Sequence, residues 1–164
     1  MSQQTVAAGV DVIGRATNDF RPPDPSVTSR RMRLAALPSA VPWARRVLRH
    51  ALRERQLEDL VDPALLLLSE LVTNAVQASA RHVGRDTGWQ QMIALSLQIT
   101  DVGMFTEVWD ACPGLPEVQE ADLAKGCGRG LLLVDSLADA WGHYRTGDGK
   151  VVWYTLSCGG KQAT

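Results

Sequence analysis

The sequence predicts an α+β domain: a two-layer sandwich with helices on one face of a mixed, mostly antiparallel sheet. Three observations carry this. Residues 62–80, DPALLLLSELVTNAVQASA, form a long, almost wholly apolar stretch of helical character. Residues 92–100 and 105–109 alternate as two strands around the turn Asp101-Val102-Gly103, which reads as a β-hairpin. A second hairpin is signalled by 141–146 and 151–156 around Gly147-Asp148-Gly149-Lys150. Strands and helices therefore come in groups, and the regular alternation of a Rossmann fold is missing.

Taken in order, residues 1–29 lack periodicity and include the proline-rich piece Arg21-Pro22-Pro23-Asp24-Pro25. They are expected to be a flexible N-terminal tail. A first strand, at a sheet edge, is expected over 31–37. Ser39 is a candidate N-cap for a first helix over 40–55. Val41, Ala44, Val47, Leu48, Ala51 and Leu52 form its apolar stripe. For the long second helix, Asp62 is the natural N-cap and Pro63 suits the first helical position. Glu70, Thr73, Asn74, Gln77 and Arg81 fall in one narrow polar sector of it. A loop over 110–130 is long enough to suggest a binding loop or lid. A third helix is expected over 130–140. The domain is thus placed at 30–158, with a short tail at 159–164.

The chain has 164 residues, 45% hydrophobic and 21% charged, which fits one soluble domain with a proper core. Its 17 basic and 18 acidic residues leave a net charge of -1, so no electrostatic footprint for nucleic acid or an anionic membrane is present. The arginines at 30, 31, 33, 45, 46, 49, 53 and 55 form either a local patch or, more simply, a solvated helix face. Cys112, Cys127 and Cys158 are odd in number and too widely spaced for CxxC pairs, which fits a reducing cytoplasm. The start has no signal-peptide character, and the run at 65–68 is too short to span a bilayer. His50 reads as an ordinary helix residue, and His82 and His143 have no evident ligand partners. The tryptophans read as core or interface material; Trp43 could meet a partner, with core the simpler reading.

Three constellations could carry chemistry. Glu70 and Asn74 lie at i and i+4, hence on one helix face, and offer hard oxygen donors suited to magnesium. The carboxylate could also orient or deprotonate a hydroxyl attacking a phosphoryl group. Spacing alone favours a plain wet strip. Asp110, at a strand end before Cys112-Pro113-Gly114, could accept from an exocyclic amine, or simply begin a turn. Gly126-Cys127-Gly128-Arg129-Gly130 precedes an apolar helix, where backbone N–H groups and a helix N-terminus suit phosphate and Arg129 could clamp it. By itself that run meets neither the dinucleotide fingerprint nor the P-loop.

Taken as a series, Glu70-x-x-x-Asn74, Asp110-x-x-x-Gly114 and Gly126-x-Gly128-x-Gly130 resemble the boxes of the GHKL (histidine kinase-like) ATPase superfamily. More narrowly, SELVTNAV, VWDACPGLP, GRGLLLVDSLADAWG and TGDGKVVWYTL resemble the small bacterial ATP-binding regulators related to anti-sigma-factor serine/threonine kinases. The resemblance covers roughly residues 31–157 and implies a sandwich of the Bergerat type that binds ATP with Mg2+. It implies that Glu70 is the general base and Asn74 the magnesium ligand. It further implies that Asp110 reads the adenine amine, that Gly114 lies beside the base, and that Gly126, Gly128 and Gly130 cradle the phosphates. Two positions depart from the pattern. Cys112 stands where the wider superfamily often has a glycine. Lys150 stands where many members have an adenine-contacting threonine, which leaves part of the base contact unassigned.

The function these residues and this resemblance lead to is a cytoplasmic ATP-binding regulator, a serine/threonine kinase of the anti-sigma-factor type. It would pass the γ-phosphate to a small antagonist protein and bind a sigma factor, without contact to nucleic acid or membrane. The alternative is a non-catalytic ATP-gated protein-interaction module. A detached sensor-kinase or gyrase-type ATPase domain is disfavoured because the chain leaves no room for partner domains. The sequence leaves the oligomeric state open, with a homodimer among the options.

Overall fold

The protein is described here from a computed structural model covering residues 26–81, 92–112, 114 and 129–159. Eight elements follow in order: β1 (Thr28–Ala35), α1 (Ala40–Glu54), α2 (Glu58–Arg81), β2 (Met92–Thr100), β3 (Gly103–Asp110), α3 (Arg129–Leu137), β4 (Ala140–Arg145) and β5 (Lys150–Ser157). The element order is the expected one. The strands form a single sheet in the order β1-β2-β3-β5-β4. Each of its four pairings is antiparallel, so the expected mixture of strand directions is not found.

Period-two burial sorts the two sheet faces. Ile93, Leu95, Leu97 and Ile99 of β2 point into the core, together with Met104 and Val108 of β3 and Val152, Tyr154 and Leu156 of β5. Against them lie Ala44, Leu48, Ala51 and Leu52 of α1 and Leu65, Leu68, Leu71, Val72 and Ala75 of α2. Tyr154 is fully buried, and its hydroxyl donates to the Ala64 carbonyl at 3.0 Å, tying β5 to α2.

The start of α2 corrects the sequence expectation. The helix begins at Glu58, so Asp62 is not its cap and Pro63 lies inside it. An interior proline costs about 3 kcal/mol. The earlier turn buries Leu57 and Leu60, each worth about 1.5–3 kcal/mol. Burial of the two leucines offsets the proline, which sits early enough for the Asp59 carbonyl it leaves unpaired to lie at an exposed residue. Ser39 does occupy the N-cap of α1, but its side chain makes no capping bond. Trp43 is 59% exposed, so the core reading fails for it. The expected tail lies outside the described residues up to 25, while Thr28 and Ser29 already belong to β1.

The arginines divide by location. Arg45 donates to the Leu65 carbonyl and Ser69 Oγ at 3.2 and 2.7 Å, pinning α1 to α2. Arg30 pairs with Glu54 at 3.3 Å and Arg55 with Asp101 at 2.7 Å. Such exposed pairs contribute little individually. No helix among the described residues is long and apolar enough to cross a membrane.

Candidate functional site

The site is built on α2. Its ten buried residues leave one wet strip, on which Glu70 is half-buried and Asn74 is exposed one turn later. Among the described residues neither side chain makes a hydrogen bond or ion pair. Further along the strip Gln77 is engaged, accepting from Arg81 at 3.4 Å. The strip thus presents one free carboxylate and one free amide side by side.

The start of α3 meets this strip. Gly130, in its first turn, lies so close that an added Cβ would stand 2.5 Å from Glu70 Oε2 and 3.4 Å from Glu70 Cβ and Cδ. A side chain at this position would have to displace the Glu70 carboxylate. The close approach places the unpaired N–H groups and positive end of a helix N-terminus beside a carboxylate. Arg129 is the first residue of α3, and its side chain lies outside the described set, as do Gly126 and Gly128.

Asp110 closes β3 and is 2% exposed. Its Oδ1 accepts from the Cys112 backbone N–H at 2.9 Å, an Asx turn, so the simple turn reading is realised. The same oxygen accepts from Lys150 Nζ at 2.8 Å. Lys150 also donates to the Cys112 carbonyl at 3.3 Å. Burial raises the Asp110 carboxyl above its ordinary value, against the opposing pull of Lys150 and the Cys112 N–H. Burial raises the Cys112 thiol as well, and the neighbouring Asp110 charge adds to this, while the charges of Lys150 and Arg81 act the other way. Gly149 packs onto the Asp110–Ala111 backbone so tightly that a Cβ would collide with the Asp110 carbonyl oxygen. At Gly114, by contrast, a Cβ would meet nothing within 4 Å among the described residues.

Glu70 lies 11 residues before Arg81 on α2, roughly 16 Å of helix rise. The Asp110–Lys150 pair lies where β3 ends and β5 begins, and Glu70 and Asn74 on α2 form a second group with the start of α3. The Lys150–Asp110 pair was not assigned from sequence. The signal was available: the two residues end β3 and begin β5, directly paired in register, so their side chains share a face. No group of three or more metal-ligating His, Cys, Asp or Glu side chains occurs among the described residues.

A five-stranded antiparallel sheet backing helices, with a polar strip on α2, a buried strand-end carboxylate and a glycine in the first turn of α3, is an α+β sandwich of ATPase type. Residues 34–156 of the chain match the family described as Histidine kinase-like ATPase domain, and the chain belongs to that family. It is accordingly an ATP-binding type of domain. Comparison with curated proteins gave no match.

Proposed function

We propose that this protein binds MgATP along the α2 edge and transfers the γ-phosphoryl to a serine or threonine hydroxyl of a small antagonist protein. It would act in the cytoplasm as an anti-sigma-factor-type kinase. The observation that carries the catalytic part is Glu70: half-buried, without a partner among the described residues, and packed against the start of α3 one turn from Asn74. In this reading Asp110 accepts from the base amine. Gly114 flanks the base. Gly126, Gly128, Arg129 and Gly130 surround the phosphates.

The donor set fits magnesium. Glu70 and Asn74 supply only oxygen on the metal side and leave most of a coordination sphere open, which suits an ion that keeps waters and phosphate oxygens. Asn74 is the residue that would hold it, and the bound ion would neutralise phosphate charge. Glu70 orients the acceptor hydroxyl and takes its proton as the new O–P bond forms. The bond to the β-phosphate breaks and ADP leaves.

The test is incubation with labelled ATP and the antagonist. Transfer is expected from the wild type and should fall about 10²–10⁴-fold in Glu70→Gln with ATP binding retained. Binding without any transfer by the wild type overturns the kinase assignment. The Gly130 contact favours a second reading, in which Glu70 is a packing partner of α3 and ATP only gates protein binding. That reading requires Glu70→Ala to leave partner control intact.

A further inference from the structure

The core and both long helices lie on one face of the sheet. Strand register lays out the other face in rows. One row runs Arg31, Ser96, Glu107 and Trp153 across β1, β2, β3 and β5. The next runs Arg33, Ala94 and Trp109 across β1, β2 and β3. The face divides in two. On β1, Arg31 and Arg33 are exposed, and neither makes an ion pair among the described residues. On β3 and β5, Trp109 and Trp153 are only half-buried, and the rings of Trp153 and Phe105 are centred 5.7 Å apart. Glu107 sits among them, and its Oε2 has no partner among the described residues. The charge of Arg31 acts on it without reaching ion-pair distance. Between the halves, these two rows cross β2 on the short side chains of Ala94 and Ser96.

We propose that this face joins two copies of the chain about a two-fold axis that runs along the strands near β2. In such a pair both copies use the same patch, so a face with a cationic half and an acidic half is complementary to itself. Rotation about that axis lays Arg31 and Arg33 of each copy over the partner's Glu107, with the partner's Trp109 and the partner's Trp153 beside it. Guanidinium groups stack well on indole faces. A second cation over Glu107 also supplies charge to a carboxylate that its own chain leaves without an ion pair. The short side chains of β2 lie on the axis, where two aligned sheets approach most closely. Half-exposed tryptophans suit a face that meets protein. The inference does not depend on the nucleotide reading, because Glu70 and Asn74 belong to a helix on the opposite face.

The experiment is sedimentation velocity on the full chain over a concentration series. The wild type should sediment as a dimer that dissociates on dilution, and more readily as salt rises. Melts that compare the fold of single copies belong below its dissociation constant, since a dimer adds stability with concentration. In Arg31→Glu/Arg33→Glu that constant should rise about a hundredfold, because two symmetric patches turn from attraction to repulsion. ATP affinity should stay at the wild-type value. Adding Glu107→Gln to the arginine variant should recover part of the dimer, a rescue that a merely disordered face would not show. Should the double variant not fold, Arg33→Glu alone carries the same test at an exposed side chain. A wild type that is monomeric at every concentration overturns the proposal. A folded arginine variant that dimerises as tightly as the wild type also overturns it, since the dimer would then form on another surface.

Discussion

Residues that look alike in the sequence play different parts once their surroundings are known. Asn74 is exposed and unengaged among the described residues, so its loss should cost the fold little and any effect should appear in binding. Asn74→Ala is expected to lower magnesium-dependent ATP affinity tenfold or more with melting temperature nearly unchanged, since exposed substitutions usually fall within about 0.5 kcal/mol. Calorimetry with and without magnesium checks it, and equal affinity in the variant would remove Asn74 from the metal. Asp110 differs in being buried and ion-paired, so Asp110→Asn changes both fold and site. The amide still faces Lys150 but with its charge gone, and a folded variant should show a reduced preference for adenine over guanine nucleotides. A preference that survives the substitution would take Asp110 out of base recognition.

Elements show why some of this architecture was readable in advance and some was not. Strand β2 and the stripe of α1 carry their apolar residues at the expected spacings, and every inward residue expected on β2 is buried. The start of α2 was misplaced because local signals, a cap-like Asp62 and Pro63, compete with the distant burial of Leu57 and Leu60, which no local pattern reveals. Trp43 was misjudged for the same reason: residue type sets an average, and the packing of one helix end decides the case. Of the site, the wet strip on α2 and the strand-end position of Asp110 followed from spacing, whereas the Lys150 contact required strand order. β3 and β5 are neighbours only because β4 lies at the sheet edge. The joint between α2 and α3 offers a test at this scale. Gly130→Val would drive a side chain into Glu70, so α3 must shift or Glu70 must swing away. Overpacking of this kind costs about 1–3 kcal/mol. The variant should melt lower, and trimming the obstacle in Gly130→Val/Glu70→Ala should recover part of the loss. Strictly additive destabilisation would show that the contact does not join the two helices.

At the scale of the whole molecule, the sheet face away from the helices contains a buried charge that the site does not explain. Glu107 is 2% exposed. Its Oε1 accepts from the Tyr144 hydroxyl at 3.0 Å, and its Oε2 has no partner among the described residues. Burial raises the Glu107 carboxyl above its ordinary value, with the Tyr144 hydrogen bond and the charge of Arg31 opposing. Ser96 faces it across the register without completing a hydrogen bond. A carboxyl whose pKa is raised by folding binds its proton more tightly in the native state than in the unfolded chain. Its contribution is therefore fully present below the unfolded value and is lost as pH rises through the folded one. Asp110 has the same sign. At neutral pH both groups are carried at a cost to stability, offset at Asp110 by the ion pair with Lys150. Glu107 makes no ion pair among the described residues, so neutralising it should help the fold. Glu107→Gln keeps an acceptor for Tyr144 and adds a donor that Ser96 Oγ can receive. The variant is expected to melt above the wild type at about pH 7, with the difference shrinking toward about pH 4 as the native carboxyl becomes protonated. Thermal melts across that range measure the difference directly, and a gap independent of pH would mean that packing, not ionisation, separates the two proteins.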